Sequence, residues 1–137
     1  MARENLWLVK CMDRDGDDVN DLREEHMPGH LAHIEAIVDH IAMAGPLKDP
    51  SGERIVGSML AYRTDDLEQA KAWLEGDPYA RCGIWGSIEW SRLVLAAGTL
   101  AGGVTWYAAS HSLLRLRAQP SGKPLSRPRR HTLSLTF

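Results

Sequence analysis

The alternation of hydrophobic and polar positions predicts four strands in the first two thirds of the chain. Residues 6–12, LWLVKCM, are compact, apolar and rich in strand formers. Residues 54–63 (RIVGSMLAYR) alternate as a strand does. Residues 83–95 (GIWGSIEWSRLVL) also read as a strand, because Ile84, Ser87 and Glu89 break any helical period. A short extended piece, AGPL at residues 44–47, precedes residues 54–63 and is the remaining predicted strand.

A first helix is predicted behind Pro28, because proline suits the first turn of a helix. Apolar residues then recur at helical spacing and form one stripe: Leu31, Ile34, Ile37, Val38 and Ile41. This helix is expected to run from near Pro28 to near Met43, with Gly45 and Pro46 ending it. The acidic run before it, residues 13–21, is expected to be a solvated loop.

A second helix is predicted between residues 65 and 76. Asp65 followed by Glu68 fits an N-cap with an acid at the third helical position. The apolar stripe of this helix consists of Leu67, Ala70 and Leu74, and Gly76 is expected to end it.

The predicted order is strand, helix, two strands, helix, strand. This order is typical of an α+β, ferredoxin-like β-α-β-β-α-β domain, with a four-stranded antiparallel sheet and two helices on one face. Such a sheet leaves its other face bare, and a bare apolar face on a small domain is usually covered by a second copy. We therefore expect a homodimer packed sheet to sheet, with the domain spanning residues 1–97.

Charge is distributed unevenly along the 137 residues. Residues 1–90 hold all 18 acidic groups against nine Lys and Arg, whereas residues 91–137 hold seven basic groups and no acid. Residues 98–137 are therefore predicted to be a basic extension, frame-shifted or fused in origin, and poorly ordered around residues 119–130. The basic charges there are too dispersed among prolines for a nucleic-acid-binding arm.

Two cysteines, Cys11 and Cys82, are too few for a disulfide framework or a thiolate zinc site. The N-terminus has no signal-peptide core, which favours a cytoplasmic location. Residues 93–114 lack charged side chains over a length that could span a membrane, but their glycines and hydroxyl residues make them only mildly apolar. We expect no membrane partner.

Four histidines fall within residues 26–40, which raises the question of a metal site, a general base or an incidental cluster. On the predicted helix, His30 lies inside the apolar stripe, whereas His33 and His40 lie at its polar margin. His26 is expected to precede the helix. A metal site on His26, His30 and His33 is disfavoured because Pro28 separates the first ligand from the others.

An inward imidazole has a proton affinity near neutrality and can act as a general acid or base if a second group orients it. Asp77 is the best candidate for that group, because Pro78 forces it out of the α region and places its carboxylate at a sharp corner. The alternative for His30 is a hydrogen-bonded core residue without a catalytic role.

Five short strings together resemble the YciI-like (YCII-related) proteins of the dimeric α/β-barrel superfamily over residues 6 to about 95. They are LWLVKCMDR, MPGHLAHI, AGPL, GSMLAY and DPYARCGIW, in this order and spacing. The resemblance implies a ferredoxin-like domain that dimerises through its sheet and holds a His–Asp pair in a pocket. In this sequence the pair is His30 and Asp77, and the substrate-binding candidates along the same pocket are Gly45, Pro46, Ser58 and Tyr79.

Related members include a dehydrochlorinase of chlorinated hydroxyquinols, and muconolactone isomerases share the wider fold. The resemblance therefore implies a cofactor-independent acid/base enzyme, a lyase, dehydrohalogenase or isomerase, acting on a small cyclic or aromatic-derived metabolite without a metal. A non-catalytic ligand-binding or interaction module of the same fold is the alternative. This sequence has Met27 where family members commonly carry an arginine, which argues against a carboxylate anchor at that position.

Overall fold

The protein is described by a computed structural model that covers residues 3–107. Its main strands are β1 (Asn5–Asp13), β2 (Ile41–Lys48), β3 (Ile55–Tyr62) and β4 (Trp85–Val94), and its helices are α1 (Val19–Ala36), α2 (Leu67–Glu75) and α3 (Pro78–Cys82). The four strands form one antiparallel sheet in the order β2-β3-β1-β4. The predicted α+β, ferredoxin-like fold is confirmed, and α3 is an additional short helix that the hydrophobic pattern did not predict.

The helices cover one face of the sheet, where the core lies. Side chains alternate across a strand, so every second residue of β1 and β3 points to this face. The core contains Val9, Cys11, Val19, Ile34, Leu60, Tyr62, Ala70, Leu74, Tyr79, Ile84 and Trp85. The residues that matter for the candidate site are therefore on the helix-covered face.

The predicted bounds of the first helix were wrong at both ends. α1 begins at Val19 instead of near Pro28 and ends at Ala36 instead of near Met43, with Pro28 inside it. Its first two turns bury only Val19 and Arg23, so they carry no apolar stripe from which a helix could be predicted. Proline also misled the prediction, because a proline inside a helix forfeits one hydrogen bond and is uncommon there.

Three residues therefore lie in other elements or environments than predicted. His26, expected before the helix, lies on α1. Val38, expected in the buried stripe, is 55% exposed in a 3₁₀ turn, Val38–His40, that follows α1. Ile41 opens β2 and does not belong to the helix.

The N-cap of α2 is Asp66, not the predicted Asp65. The Asp66 carboxylate accepts a hydrogen bond from the Glu68 backbone N–H at 3.0 Å, which satisfies one of the free donors at the helix end. Asp65 instead accepts the Trp7 indole N–H on its carbonyl at 3.0 Å and pairs through its carboxylate with Arg92 at 3.1 Å. The predicted end of the helix at Gly76 is confirmed.

A β-bulge in β4 decides which face Trp85 occupies. Met12 pairs with Ser87, but the next residue, Asp13, pairs with Trp85, so Gly86 is the extra residue of the bulge. In an unbroken register Trp85 would face away from the helices, because successive side chains alternate. The bulge moves its indole into the core.

Gly86→Ala is expected to lower the free energy of unfolding by about 1–3 kcal/mol, the usual loss when atoms are forced into a packed site. A Cβ at this position would lie 2.9 Å from both Cα and Cβ of Arg14, so the backbone itself must move. Gly45→Ala is the matched control, since its Cβ would meet nothing within 4 Å. Urea denaturation of both variants checks this, and equal losses would contradict the role of the bulge.

Residues 3–4 and 95–107 belong to a second compact unit, which therefore begins at Leu95, slightly before the predicted boundary of residue 98. It contains a small hairpin, Ala97–Gly98 with Gly103–Val104, and the Arg3 Nε–H donates to Thr105 Oγ1 at 2.8 Å. The remainder of the extension, including the stretch predicted to be poorly ordered, lies outside the described residues.

The helix-free face of the sheet carries an apolar patch near β2. Met43, Leu47 and Met59 border a shallow depression of about 250 Å³ there. The sheet-to-sheet homodimer that we expect would cover this face, and it stays a prediction. Within residues 3–107, none of the helices combines the length and hydropathy that a membrane crossing needs.

Candidate active site

His30 is the one histidine of residues 26–40 that lies in the core. The buried residues of α1 are Val19, Arg23, His30 and Ile34, which share one face of the helix. The His30 side chain is 1% exposed, as its helical phase predicted.

Asp77 meets His30 at the start of α3. Its backbone is extended (φ −74°, ψ 129°), as expected for a residue before proline, and its side chain is fully buried. His30 Nδ1 lies 2.8 Å from Asp77 Oδ1 and 2.7 Å from Oδ2. Because an ionised carboxylate only accepts hydrogen bonds, Nδ1 carries the proton in this contact. Asp77 Oδ1 also accepts the Tyr79 backbone N–H at 2.9 Å, which holds the carboxylate in place.

Close packing of α1 against α3 brings the two side chains together. A Cβ on Gly29 would lie 3.1 Å from Cγ of Pro78, so the absence of a side chain at position 29 permits this approach. His30 follows Gly29 and Asp77 precedes Pro78. The contact between residues 47 apart in sequence is therefore a consequence of helix packing.

Tyr79 fixes the plane of the imidazole. Its ring stacks on that of His30 with centroids 4.0 Å apart and planes at 11°, and Trp85 packs edge-on against Tyr79 at 6.1 Å and 85°. Such offset-stacked and edge-to-face contacts restrict ring orientation. His30 thus has its tautomer set by Asp77 and its plane set by Tyr79.

Arg23 places a buried charge on the same helix face, two turns before His30. Its Nη2 lies 2.6 Å from both carboxylate oxygens of Asp13, and its Nη1 donates to Asn20 Oδ1 at 3.2 Å. The predicted helix began after residue 23, so the sequence reasoning missed Arg23. Its spacing of seven from His30 was the available signal.

The other predicted substrate-binding residues lie on β2 and β3. Ser58 is buried on the helix-covered face, where it pairs in register with Cys11 and with Pro46. Gly45 pairs with Met59 and borders the depression on the opposite side of the sheet. The structure thus brings Tyr79 to His30 and places Gly45 away from it. Substrate binding by Gly45, Pro46, Ser58 and Tyr79 stays a prediction.

The family model of the YCII-related domain matches residues 7–93, which is more than half of the chain. The chain belongs to the YCII-related family. The match includes all of β2 and β3 and most of β1 and β4, together with His30 and Asp77. The predicted resemblance is confirmed.

Two proteins similar to this YCII-related chain have names that state no reaction. The xenovulene A biosynthesis cluster protein asL2 of Sarocladium schorii is 31% identical over 93 residues, which cover 60% of this chain and 79% of that protein. Protein YciI of Escherichia coli O6:H1 is 30% identical over 91 residues, covering 61% of this chain and 91% of YciI.

A solved structure shares the fold. It is the 5-chloro-2-hydroxyhydroquinone dehydrochlorinase TftG of Burkholderia phenoliruptrix AC1100, in complex with 2,5-dihydroxybenzoquinone. The TM-score is 0.55 at 21% identity, covering 69% of this chain and 96% of that chain. This similarity supports the ferredoxin-like architecture.

Met27 occupies the position where the resemblance to the family implied an arginine. Met27 packs against the core. Arg23, one helical turn earlier, brings a guanidinium to the buried face, where Asp13 neutralises it. The guanidinium on this face of α1 is therefore Arg23, paired with Asp13, and position 27 carries no charge.

Cys11 and Tyr62 lie close enough to Asp77 for its charge to act on them. Burial raises the pKa of the Cys11 thiol to about 12, and the Asp77 carboxylate adds to this effect. Burial and the same charge raise the pKa of Tyr62. Burial raises the pKa of Tyr79 to about 12, although Arg23 opposes the shift. The three groups stay protonated at neutral pH, so Cys11 is not a thiolate nucleophile.

These shifts predict a loss of stability in alkali. Below pH 9 the thiol and the phenols are protonated in both the folded and the unfolded chain, so their full contribution to the free energy of unfolding is present. Above the ordinary pKa values of 9.0 for Cys11 and 10.0 for Tyr79, the unfolded chain loses protons that the folded chain keeps up to about pH 12. The free energy of unfolding should fall by up to about 1.4 kcal/mol per pH unit for each group.

Urea denaturation between pH 8 and pH 11 measures this slope. Of the three groups, Cys11 has the lowest pKa in the unfolded chain, 9.0. Cys11→Val should therefore flatten the decline of the unfolding free energy between pH 9 and pH 10. An unchanged slope in that variant would contradict the raised pKa of Cys11.

The remaining histidines of α1 and the turn after it have separate contacts. The His33 Nε2–H donates to the Trp73 carbonyl at 2.7 Å, and His40 stacks on Trp73 with ring centroids 4.8 Å apart. His26 is a surface residue 4.0 Å from Glu25. In the part of the chain that the structure describes, no three His, Cys, Asp or Glu side chains converge as metal ligands. The absence of a metal in the reaction stays a prediction.

Proposed function

We propose that the protein is a cofactor-independent acid/base enzyme, a lyase, dehydrohalogenase or isomerase acting on a small cyclic or aromatic-derived metabolite. The observation that carries this proposal is the buried contact between His30 Nδ1 and the Asp77 carboxylate at 2.7–2.8 Å. A histidine whose Nδ1–H is held by a carboxylate presents a basic Nε2 and stabilises the imidazolium once formed.

In the proposed reaction, His30 Nε2 removes a proton from a ring carbon made acidic by a neighbouring oxygen substituent. For a halogenated substrate, this carbon is saturated, as in the keto tautomer of a hydroxylated ring. The electron pair of the broken C–H bond then forms a double bond to the neighbouring carbon, from which halide leaves with its own pair. For an isomerisation, the imidazolium returns the proton to a different ring carbon. Neither route changes oxidation state overall, so neither requires a redox cofactor.

The aromatic surroundings of His30 support a flat ring as substrate. Tyr79 stacks on the imidazole and Trp85 packs edge-on against Tyr79, so His30 belongs to an aromatic cluster, and aromatic surroundings favour planar apolar ligands. Because Asp13 neutralises Arg23, we propose that the substrate is not anchored through a carboxylate. Ser58 is the candidate polar contact on β3.

The named relatives support this class of chemistry. TftG removes chloride from a hydroxylated ring and was solved with a hydroxylated quinone. The asL2 protein comes from the xenovulene A biosynthesis cluster. A chlorinated or hydroxylated ring is accordingly the substrate class that we propose for this chain. We also propose that the chain acts as a homodimer in the cytoplasm.

A non-catalytic ligand-binding module is the second candidate, and the burial of the pair favours it. His30 is 1% exposed and Asp77 is fully buried, so a substrate must displace neighbouring groups to reach Nε2. A buried histidine with a satisfied hydrogen bond is also common in structural cores.

A screen of chlorinated and hydroxylated benzoquinones, hydroquinones and ring lactones separates the two functions. Halide release and ultraviolet absorbance report elimination and isomerisation. Turnover that depends on His30 and Asp77 supports the enzyme. Binding without turnover across the whole screen overturns the enzymatic proposal and supports the module.

A further inference from the structure

Trp85 buries a hydrogen-bond donor that has no acceptor among the residues that the structure describes. Its side chain is 9% exposed, and Nε1 has no hydrogen-bond partner within residues 3–107. By contrast, the Trp7 indole N–H donates to the Asp65 carbonyl at 3.0 Å. A buried N–H without a partner loses its hydration without compensation, so native proteins keep few of them.

The position of this donor relates it to the candidate site. Trp85 packs edge-on against Tyr79, which stacks on His30. The bulge at Gly86 is what turns Trp85 to this face, and bulges often re-aim a side chain beside an active site. The unsatisfied donor therefore belongs to the same aromatic group as the imidazole.

We propose that the indole N–H of Trp85 binds an oxygen of the ring substrate, an inference that rests on the proposed function. Indole only donates, so its complement is an acceptor such as a ring carbonyl or a phenolate. Removal of a ring proton by His30 shifts negative charge onto such an oxygen, and a hydrogen bond strengthens when its acceptor becomes anionic. Trp85 would thus select oxygenated rings and stabilise the deprotonated ring.

Indole-¹⁵N NMR of the full chain tests this directly with 2,5-dihydroxybenzoquinone as probe. The chain has five tryptophans, so Trp85→Phe assigns the resonance of interest. Addition of the probe should move the Trp85 N–H signal downfield and leave that of Trp7 in place. An unmoved Trp85 signal at millimolar probe, or an equal shift at Trp7, would overturn the proposal.

Calorimetric binding gives the matching functional measure. Trp85→Phe should weaken binding of the probe on the order of tenfold, as expected for a lost hydrogen bond to a charged acceptor, and Trp7→Phe should leave it unchanged. Benzothienylalanine at position 85 keeps the ring size without the N–H, so it serves if Trp85→Phe does not fold. It should weaken binding equally and leave the unfolding free energy unchanged; lost stability with intact binding would identify a structural donor instead.

The outcomes also separate this inference from the proposed function. A Trp85 shift without turnover in the substrate screen supports the binding residue and overturns the enzyme. Turnover with an unmoved Trp85 resonance supports the enzyme and overturns the role of Trp85.

Discussion

His30→Ala is expected to lower the turnover number of the proposed reaction by about 10²–10⁴-fold, the usual contribution of a positioned general acid or base. The imidazole is the group that exchanges the proton, and Asp77 at 2.7 Å holds its second nitrogen. Initial rates on a substrate from the ring screen measure the effect. His33→Ala is the matched control, because His33 lies on the same helix and binds the Trp73 carbonyl. Its turnover should equal that of the wild type.

Asp77→Asn tests the orienting role separately. The amide oxygen can still accept the Tyr79 N–H, so the start of α3 should keep its cap. An amide nitrogen facing His30 favours the wrong tautomer, and the corresponding change in a serine-protease triad lowers turnover about 10⁴-fold. Circular dichroism confirms folding of both variants. Activity that survives His30→Ala and Asp77→Asn together would exclude the pair from the chemistry.

Arg23→Met is expected to lower the free energy of unfolding by about 3–5 kcal/mol, because it leaves the Asp13 carboxylate without its cation in a buried place. The Arg23 and Asp13 side chains are only 6% and 14% exposed, and Arg23 Nη2 lies 2.6 Å from Asp13 Oδ1. Methionine retains much of the apolar stem, so the loss reports the broken pair more than an empty volume. Urea denaturation at neutral pH measures it.

Two further variants make this result specific. Arg92→Met breaks the exposed pair with Asp65 and should change stability by less than about 1 kcal/mol, as surface pairs do. Asp13→Asn combined with Arg23→Met removes both charges and should recover much of the loss. If Arg23→Met costs no more than Arg92→Met, the buried pair does not stabilise the fold.

Periodicity was sufficient to predict the architecture. The three longer segments predicted as strands became β1, β3 and β4, and the order of elements restricted the fold to a ferredoxin-like domain. Helical phase alone selected His30 among four neighbouring histidines. These features depend on side-chain direction along one element, which local backbone geometry sets.

The misplaced elements have a common cause. The start of α1 is polar apart from Val19 and Leu22, too few for an apolar stripe, and Pro28 was interpreted as a beginning although it lies inside the helix. α3 is five residues long, too short for a periodic signal. Such segments are stabilised by tertiary packing, which overrides local propensity.

The sequence by itself determined the order of elements, the inward direction of His30 and the extended backbone of Asp77, because each follows from periodicity or from a neighbouring proline. Its resemblance to the YCII-related family paired these two residues. Only the tertiary structure decided that Gly29 lets Pro78 approach and that a bulge at Gly86 turns Trp85 inward. It also decided that Arg23 meets Asp13 in the core. These contacts join residues of different elements, so they depend on how strands pair and helices pack. The hydrophobic pattern within a single element cannot predict such contacts.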